Sequence, residues 1–185
     1  MLLPAKFCKW ALKSLGWTVV GEAPKEDKCV ILGVPHTSIL DFVISMLYYH
    51  SLGHEGHTMI KKELFFWPLG PFLRAVGCIP VDRKSGAATI RSVMQAMNEA
   101  GQFHLCIAPE GTRKPVKKWK MGYHKIATEL NLPVYLAIYD WGRKEVGVLK
   151  KFELTDDARK DTEAIQAEYE KMGLVGRHPE GYCTH

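Results

Sequence analysis

Short apolar runs alternate along the chain with segments whose apolar positions recur every three or four residues, so strands and helices are expected to alternate. The runs at 17–20, 29–34, 58–60, 78–81, 103–108, 133–139 and 146–149 read as strands. Helical spacing covers 1–14, 39–49, 87–100, 123–130 and 155–172, the last with Thr155 or Asp156 as N-cap. A polar turn fills 24–28, and residues 64–77 read as an apolar loop rich in Pro and Gly. This alternation predicts an α/β fold: a mixed, mostly parallel sheet flanked by helices. No repeat or linker interrupts it, so 1–185 is expected to be one domain. It divides into an amphipathic helix (1–15), a core (17–150) and a C-terminal helix (155–172).

In the first helix Lys6, Lys9 and Lys13 line one stripe, while Leu3, Phe7, Trp10, Ala11, Leu12 and Leu15 cover much of the rest. A basic, Trp-bearing amphipathic helix suits a membrane interface. The same pattern fits a helix packed on the domain with lysines in water. No run approaches the roughly 18 apolar residues that span a bilayer, and residues 1–15 lack the features of a secretory signal. The expected location is cytoplasmic, peripheral on the inner face of the cell membrane.

The balance of 46% hydrophobic and 24% charged residues is that of a globular chain. A net charge of +5 favours anionic partners such as phosphorylated metabolites or acidic lipid. No recognition helix or RNA-binding motif is present, which argues against nucleic acid. The five cysteines, Cys8, Cys29, Cys78, Cys106 and Cys183, are scattered and odd in number. They point to a reducing compartment, with no disulfide framework and no metal site.

Three strand ends carry candidate chemistry, and the carboxyl ends of strands are where such sheets bind ligands. At the first, His36 lies in a turn and Asp41 in the first turn of a helix. A carboxylate on one ring nitrogen fixes the tautomer and leaves the other to take a proton from a hydroxyl. The segment Ser38 to Asp41 equally fits a capping box, with Asp41 as a cap and His36 as a turn residue. At the second, Pro109, Glu110, Gly111, Thr112, Arg113 and Lys114 offer a permissive glycine and a guanidinium fork for phosphate or carboxylate, or else form a solvated loop. At the third, Asp82 and Arg83 form either a phosphate contact or a surface turn. The aromatic stretch 64–72 suits an acyl chain or a membrane, or folds over the core.

Taken together and in order, these blocks resemble the glycerolipid acyltransferase superfamily, whose best-known members are 1-acyl-sn-glycerol-3-phosphate acyltransferases. The resemblance runs from about Trp17 to Tyr139 through His36-x4-Asp41, the apolar stretch ending in Asp82-Arg83, the unbroken Pro109–Arg113 block and the proline-led strand at Pro133. It implies His36 as catalytic base, Asp41 as its orienting acid, and Arg83, Glu110, Gly111, Thr112 and Arg113 at the substrate. The commonest first block opens with Asn where this chain has Pro35. Pro-His-Thr-Ser at 35–38 and Trp-Lys-x-Gly at 119–122 are similar to a compact bacterial branch. The implied reaction moves a fatty acyl group from acyl-CoA or acyl-carrier protein to a lysolipid hydroxyl, by default 1-acyl-sn-glycerol-3-phosphate, giving phosphatidic acid. It requires no cofactor or metal. An amino-acid-derived lysolipid acceptor, or lipid binding without turnover, are the alternatives.

Overall fold

A computed structural model describes residues 3–82 and 85–183. Seven strands form one sheet: β1 (Thr18–Gly21), β2 (Lys28–Val34), β3 (Gly56–Lys61), β4 (Cys78–Val81), β5 (Phe103–Ile107), β6 (Val134–Asp140) and β7 (Glu145–Phe152). Their order is β1-β7-β6-β2-β5-β3-β4. Every neighbouring pair is parallel except β6 and β7, which run antiparallel through a short turn. The helices are α1 (Ala5–Ser14), α2 (Ile39–Ser51), α3 (Leu69–Ala75), α4 (Gly86–Glu99), α5 (Gly122–Glu129) and α6 (Ala158–Lys171).

The middle strand β2 explains the two layers. Its side chains alternate between faces, and both faces are covered, which is why its sequence is continuously apolar. Val30, Leu32 and Val34 face one core with Val93 and Met97 of α4, Tyr123 and Ile126 of α5, and Ile165 and Tyr169 of α6. Cys29 and Ile31 face the other with Cys8 and Leu12 of α1 and Ile44, Leu47 and Tyr48 of α2.

Two close fits lock β6 onto β2 where both strands approach the site. Gly33 leaves room for Tyr139: a Cβ there would lie 1.7 Å from the phenol oxygen. From the opposite face, the fully buried Tyr169 hydroxyl donates to Leu32 O at 2.6 Å and accepts from Ala137 N at 3.2 Å. Ala137 stands at a register shift between β6 and β7, so the hydroxyl partners an amide at an irregular point of the ladder.

The architecture is the expected one, with local corrections. The apolar segment 64–77 contains α3, because Leu73 and Val76 are drawn into a small core against Phe42 and Met46 of α2. Phe65 and Leu69 join that cluster, whereas Phe66, Trp67 and Phe72 are exposed, Trp67 by 85%. The stretch is therefore both core cover and exposed aromatic surface. The N-cap of α6 is Asp157, whose carboxylate accepts from Arg159 N and Lys160 N. Thr155, expected as a cap, instead donates through its amide and hydroxyl to Asp161. In α1, Cys8 and Leu12 are buried while Phe7, Trp10 and Leu15 are exposed. No helix among the described residues is long and apolar enough to cross a membrane.

Replacing Tyr169 with Phe strands a buried carbonyl and a buried amide. It is expected to cost about 1–3 kcal/mol in urea unfolding, with an unchanged m-value.

Candidate active site

The site begins where β2 ends. Pro35, joined to Val34 by a cis peptide bond, turns the chain off the strand, and Ser38 N-caps α2 three residues later. Asp41, at the third helical position, completes the capping box. Its Oδ2 accepts from Thr37 N at 2.8 Å and Ser38 N at 2.7 Å. The same oxygen stands 3.3 Å from His36 Nδ1. Capping and imidazole contact are therefore one arrangement, because the turn that offers its amides to the carboxylate also folds His36 back over it.

The second carboxylate oxygen is held as well. Asp41 Oδ1 accepts from the indole N–H of Trp141 at 2.7 Å. Trp141 follows the last residue of β6, next to β2, so its side chain reaches the end of the neighbouring strand. Asp41 is buried, whereas the His36 side chain is 25% exposed. Nδ1 faces the carboxylate, and Nε2 has no hydrogen-bond partner among the described residues.

On the other side of β2, the turn after β5 brings in Glu110. Its Oε1 accepts from His36 N at 2.9 Å, and its Oε2 is buried without a partner among the described residues. Burial pushes this carboxyl up to about 7; the amide of His36 opposes the rise and the charge of Asp41 adds to it. Gly111 follows with a φ of +66°, and a Cβ there would come 3.0 Å from the Lys120 side chain. That turn is closed by Lys120 N donating to Pro109 O at 2.7 Å. Thr112 Oγ1 accepts from Lys114 N at 3.2 Å, while Arg113 is exposed and has no ion-pair partner among the described residues.

The tail after α6, to which composition assigns no role, crosses the same turn. Val175 O accepts from Trp141 N at 2.9 Å, and His178 N donates to Thr37 Oγ1 at 3.2 Å. Gly176 is buried so closely that a Cβ would lie 2.6 Å from the Thr37 methyl. Further on, a Cβ on Gly181 would lie 3.0 Å from Arg113 O. The strap thus ties the β6 end, the His36 turn and the β5 turn together.

Of the residues expected at the site, the fold gathers His36, Asp41 and the block Glu110 to Arg113 on one rim. Arg83 lies outside the described residues. Asp82 pairs with Lys62 at 2.6 Å. Trp141 and the strap were missed. Trp141 was within reach of the rule that selected the other strand ends, since it directly follows an apolar strand; the strap has no such signal.

A family model described as Acyltransferase matches residues 16–139, more than half of the chain. The chain belongs to that family, within the glycerolipid acyltransferase superfamily. No curated protein matches it. The matched segment of this acyltransferase holds His36, Asp41 and Glu110 to Arg113, whereas Trp141 and the strap lie beyond it.

The raised carboxyl of Glu110 makes stability depend on pH. Between about 4.5 and about 7 the folded chain keeps a proton that the unfolded chain releases, so stability falls as pH rises. Glu110→Gln removes this contribution. Relative to the parent it should gain little near pH 4.5 and on the order of 3 kcal/mol at about pH 8, read by urea unfolding at both.

Proposed function

We propose that this acyltransferase moves a fatty acyl group from an acyl thioester, acyl-CoA or acyl-carrier protein, to a lysolipid hydroxyl, with 1-acyl-sn-glycerol-3-phosphate as acceptor and phosphatidic acid as product. The observation that carries the reading is the 3.3 Å contact of His36 Nδ1 with a buried, fully engaged Asp41, which leaves Nε2 at the partly open edge. The family supports acyl transfer, and the Arg113 block together with the resemblance favours a phosphate-bearing acceptor.

His36 Nε2 accepts the proton of the acceptor hydroxyl as its oxygen attacks the thioester carbonyl carbon. The tetrahedral intermediate collapses with cleavage of the C–S bond, and the imidazolium returns its proton to the departing sulfur. Asp41 holds the ring and balances the imidazolium charge. Arg113, with Arg83 by resemblance, receives the acceptor phosphate, and Glu110, Gly111 and Thr112 shape its turn. No cofactor enters this proposed transfer. Phe42, which follows Asp41 on α2, packs with Met46, Phe65 and Leu69 against a small apolar cluster, a surface that suits the acyl chain. The exposed Phe7, Trp10 and Leu15 among the α1 lysines suit a peripheral contact with an anionic bilayer on the inner face of the cell membrane.

The test is transfer from an acyl thioester to lysophosphatidic acid, and to a panel of other lipid hydroxyls, read by thiol release and product mass. His36→Ala is expected to lower turnover about a thousandfold or more with the fold intact. Transfer at parental rate by that variant rejects the base. Trp141→Phe removes the donor to Asp41 Oδ1 and leaves more carboxylate charge facing the imidazolium. Its kcat is expected to fall roughly ten- to a hundredfold with the fold intact. For the membrane contact, the Phe7→Ser/Trp10→Ser variant should lose most of its sedimentation with anionic vesicles, and unchanged sedimentation places the lipid contact elsewhere.

A further inference from the structure

Trp141 carries two cations that acyl transfer at His36 leaves unused. The Lys144 ammonium stands 4.5 Å from its ring centroid and 5.3 Å from that of Trp17. The Arg177 guanidinium stands 4.8 Å from the Trp141 centroid. The two indoles meet edge to face at 4.9 Å, which fixes the platform. Neither cation has a carboxylate within ion-pair distance among the described residues, because nearby Arg143 takes both Asp140 and Glu145.

Their placement is built into the chain. Lys144 adopts a left-handed backbone with φ +56°, a conformation that costs a residue with a side chain about 1 kcal/mol. Arg177 is delivered by the strap, between buried Gly176 and the amide of His178 that donates to Thr37. Stacking on indole faces orients cations without neutralising them. Two like charges held within about one Debye length repel each other, and a bound anion relieves that repulsion. A guanidinium held over an indole by cation–π attraction still has N–H groups to offer phosphate oxygens.

The location adds a second argument. In the sheet β2 lies between β5 and β6. Arg113 follows β5, and the Lys144–Arg177 pair sits at the end of β6. The two sets of cations flank the His36 turn from opposite sides. A transfer between two phosphate-bearing substrates needs two anion sites around one base.

We propose that Lys144 and Arg177, stacked on Trp141, form a phosphate-binding subsite on the β6 side of the site, separate from Arg113. The phosphate belongs either to the coenzyme A donor or to the lysolipid acceptor. Which substrate it serves rests on the acyl-transfer reading; the binding does not.

Isothermal titration of the full chain with adenosine 3′,5′-bisphosphate, the nucleotide end of coenzyme A, and with glycerol 3-phosphate tests this without turnover. The variants are Lys144→Gln, Arg177→Gln, Arg177→Lys and Arg113→Gln, each checked for a parental thermal midpoint. One probe is expected to bind the parent and to lose about tenfold or more in affinity in both Lys144→Gln and Arg177→Gln. Arg177→Lys should recover part of the loss, and Arg113→Gln should leave binding of the bisphosphate unaffected while weakening that of glycerol 3-phosphate. Loss of the bisphosphate assigns the subsite to the donor, and loss of glycerol 3-phosphate to the acceptor. Parental affinity for both probes in Lys144→Gln and Arg177→Gln overturns the proposal, as does a parent that binds neither. A chain that binds phosphate at this pair yet transfers no acyl group rejects the acyl-transfer reading alone.

Discussion

The carboxylate of Asp41 is the point on which the site depends. One oxygen gathers the amides of Thr37 and Ser38 and faces His36, and the other receives the indole of Trp141. Burying a carboxylate is costly unless its lone pairs are engaged, and here each oxygen has protein donors. The cap of α2, the orientation of His36 and the anchoring of the loop after β6 are therefore coupled. Starting α2 elsewhere would disturb all three.

That coupling needs a sheet in which β2 and β6 end side by side, and the sequence supplies it through complementary extremes of size. Gly33 gives up its side chain so that Tyr139 fits, and Tyr169 crosses from α6 to hydrogen-bond both strands. Both contacts lie within a few residues of His36 or Trp141. Rigidity is thus concentrated where a loosely held imidazole would be least useful to proton transfer.

How far the sequence could be read follows the range of each interaction. The strand–helix alternation is local and periodic, and it led to the right architecture. The spacing from His36 to Asp41 is also local, and it suggested both a cap and an orienting acid; the folded chain combines the two geometries instead of choosing between them. The Glu110 block was legible as a strand-end motif, but its contact with the His36 amide joins different strands and leaves no trace in spacing. Trp141 and the strap lie 100 residues or more from the groups they touch around Asp41 and Thr37. Only the fold brings them there. The helix α3 was hidden for another reason: its segment is two turns long and apolar but for Arg74, so periodicity is silent and packing against Phe42 and Met46 decides.

Burial acts on the two acids of the site in different ways. Asp41 is buried among donors, whereas Glu110 is buried with one oxygen unpartnered and its carboxyl displaced to about 7. An acid in that state places less negative charge beneath the His36 turn than an ionised one. Around this weakly charged floor the chain sets cations on two sides, Arg113 after β5 and the Lys144–Arg177 pair after β6. A fully ionised pair of carboxylates would repel an anionic substrate arriving at the same rim. Keeping Glu110 partly protonated serves the electrostatics of such a site, and its hydrogen bond to His36 N keeps the base in place in either protonation state.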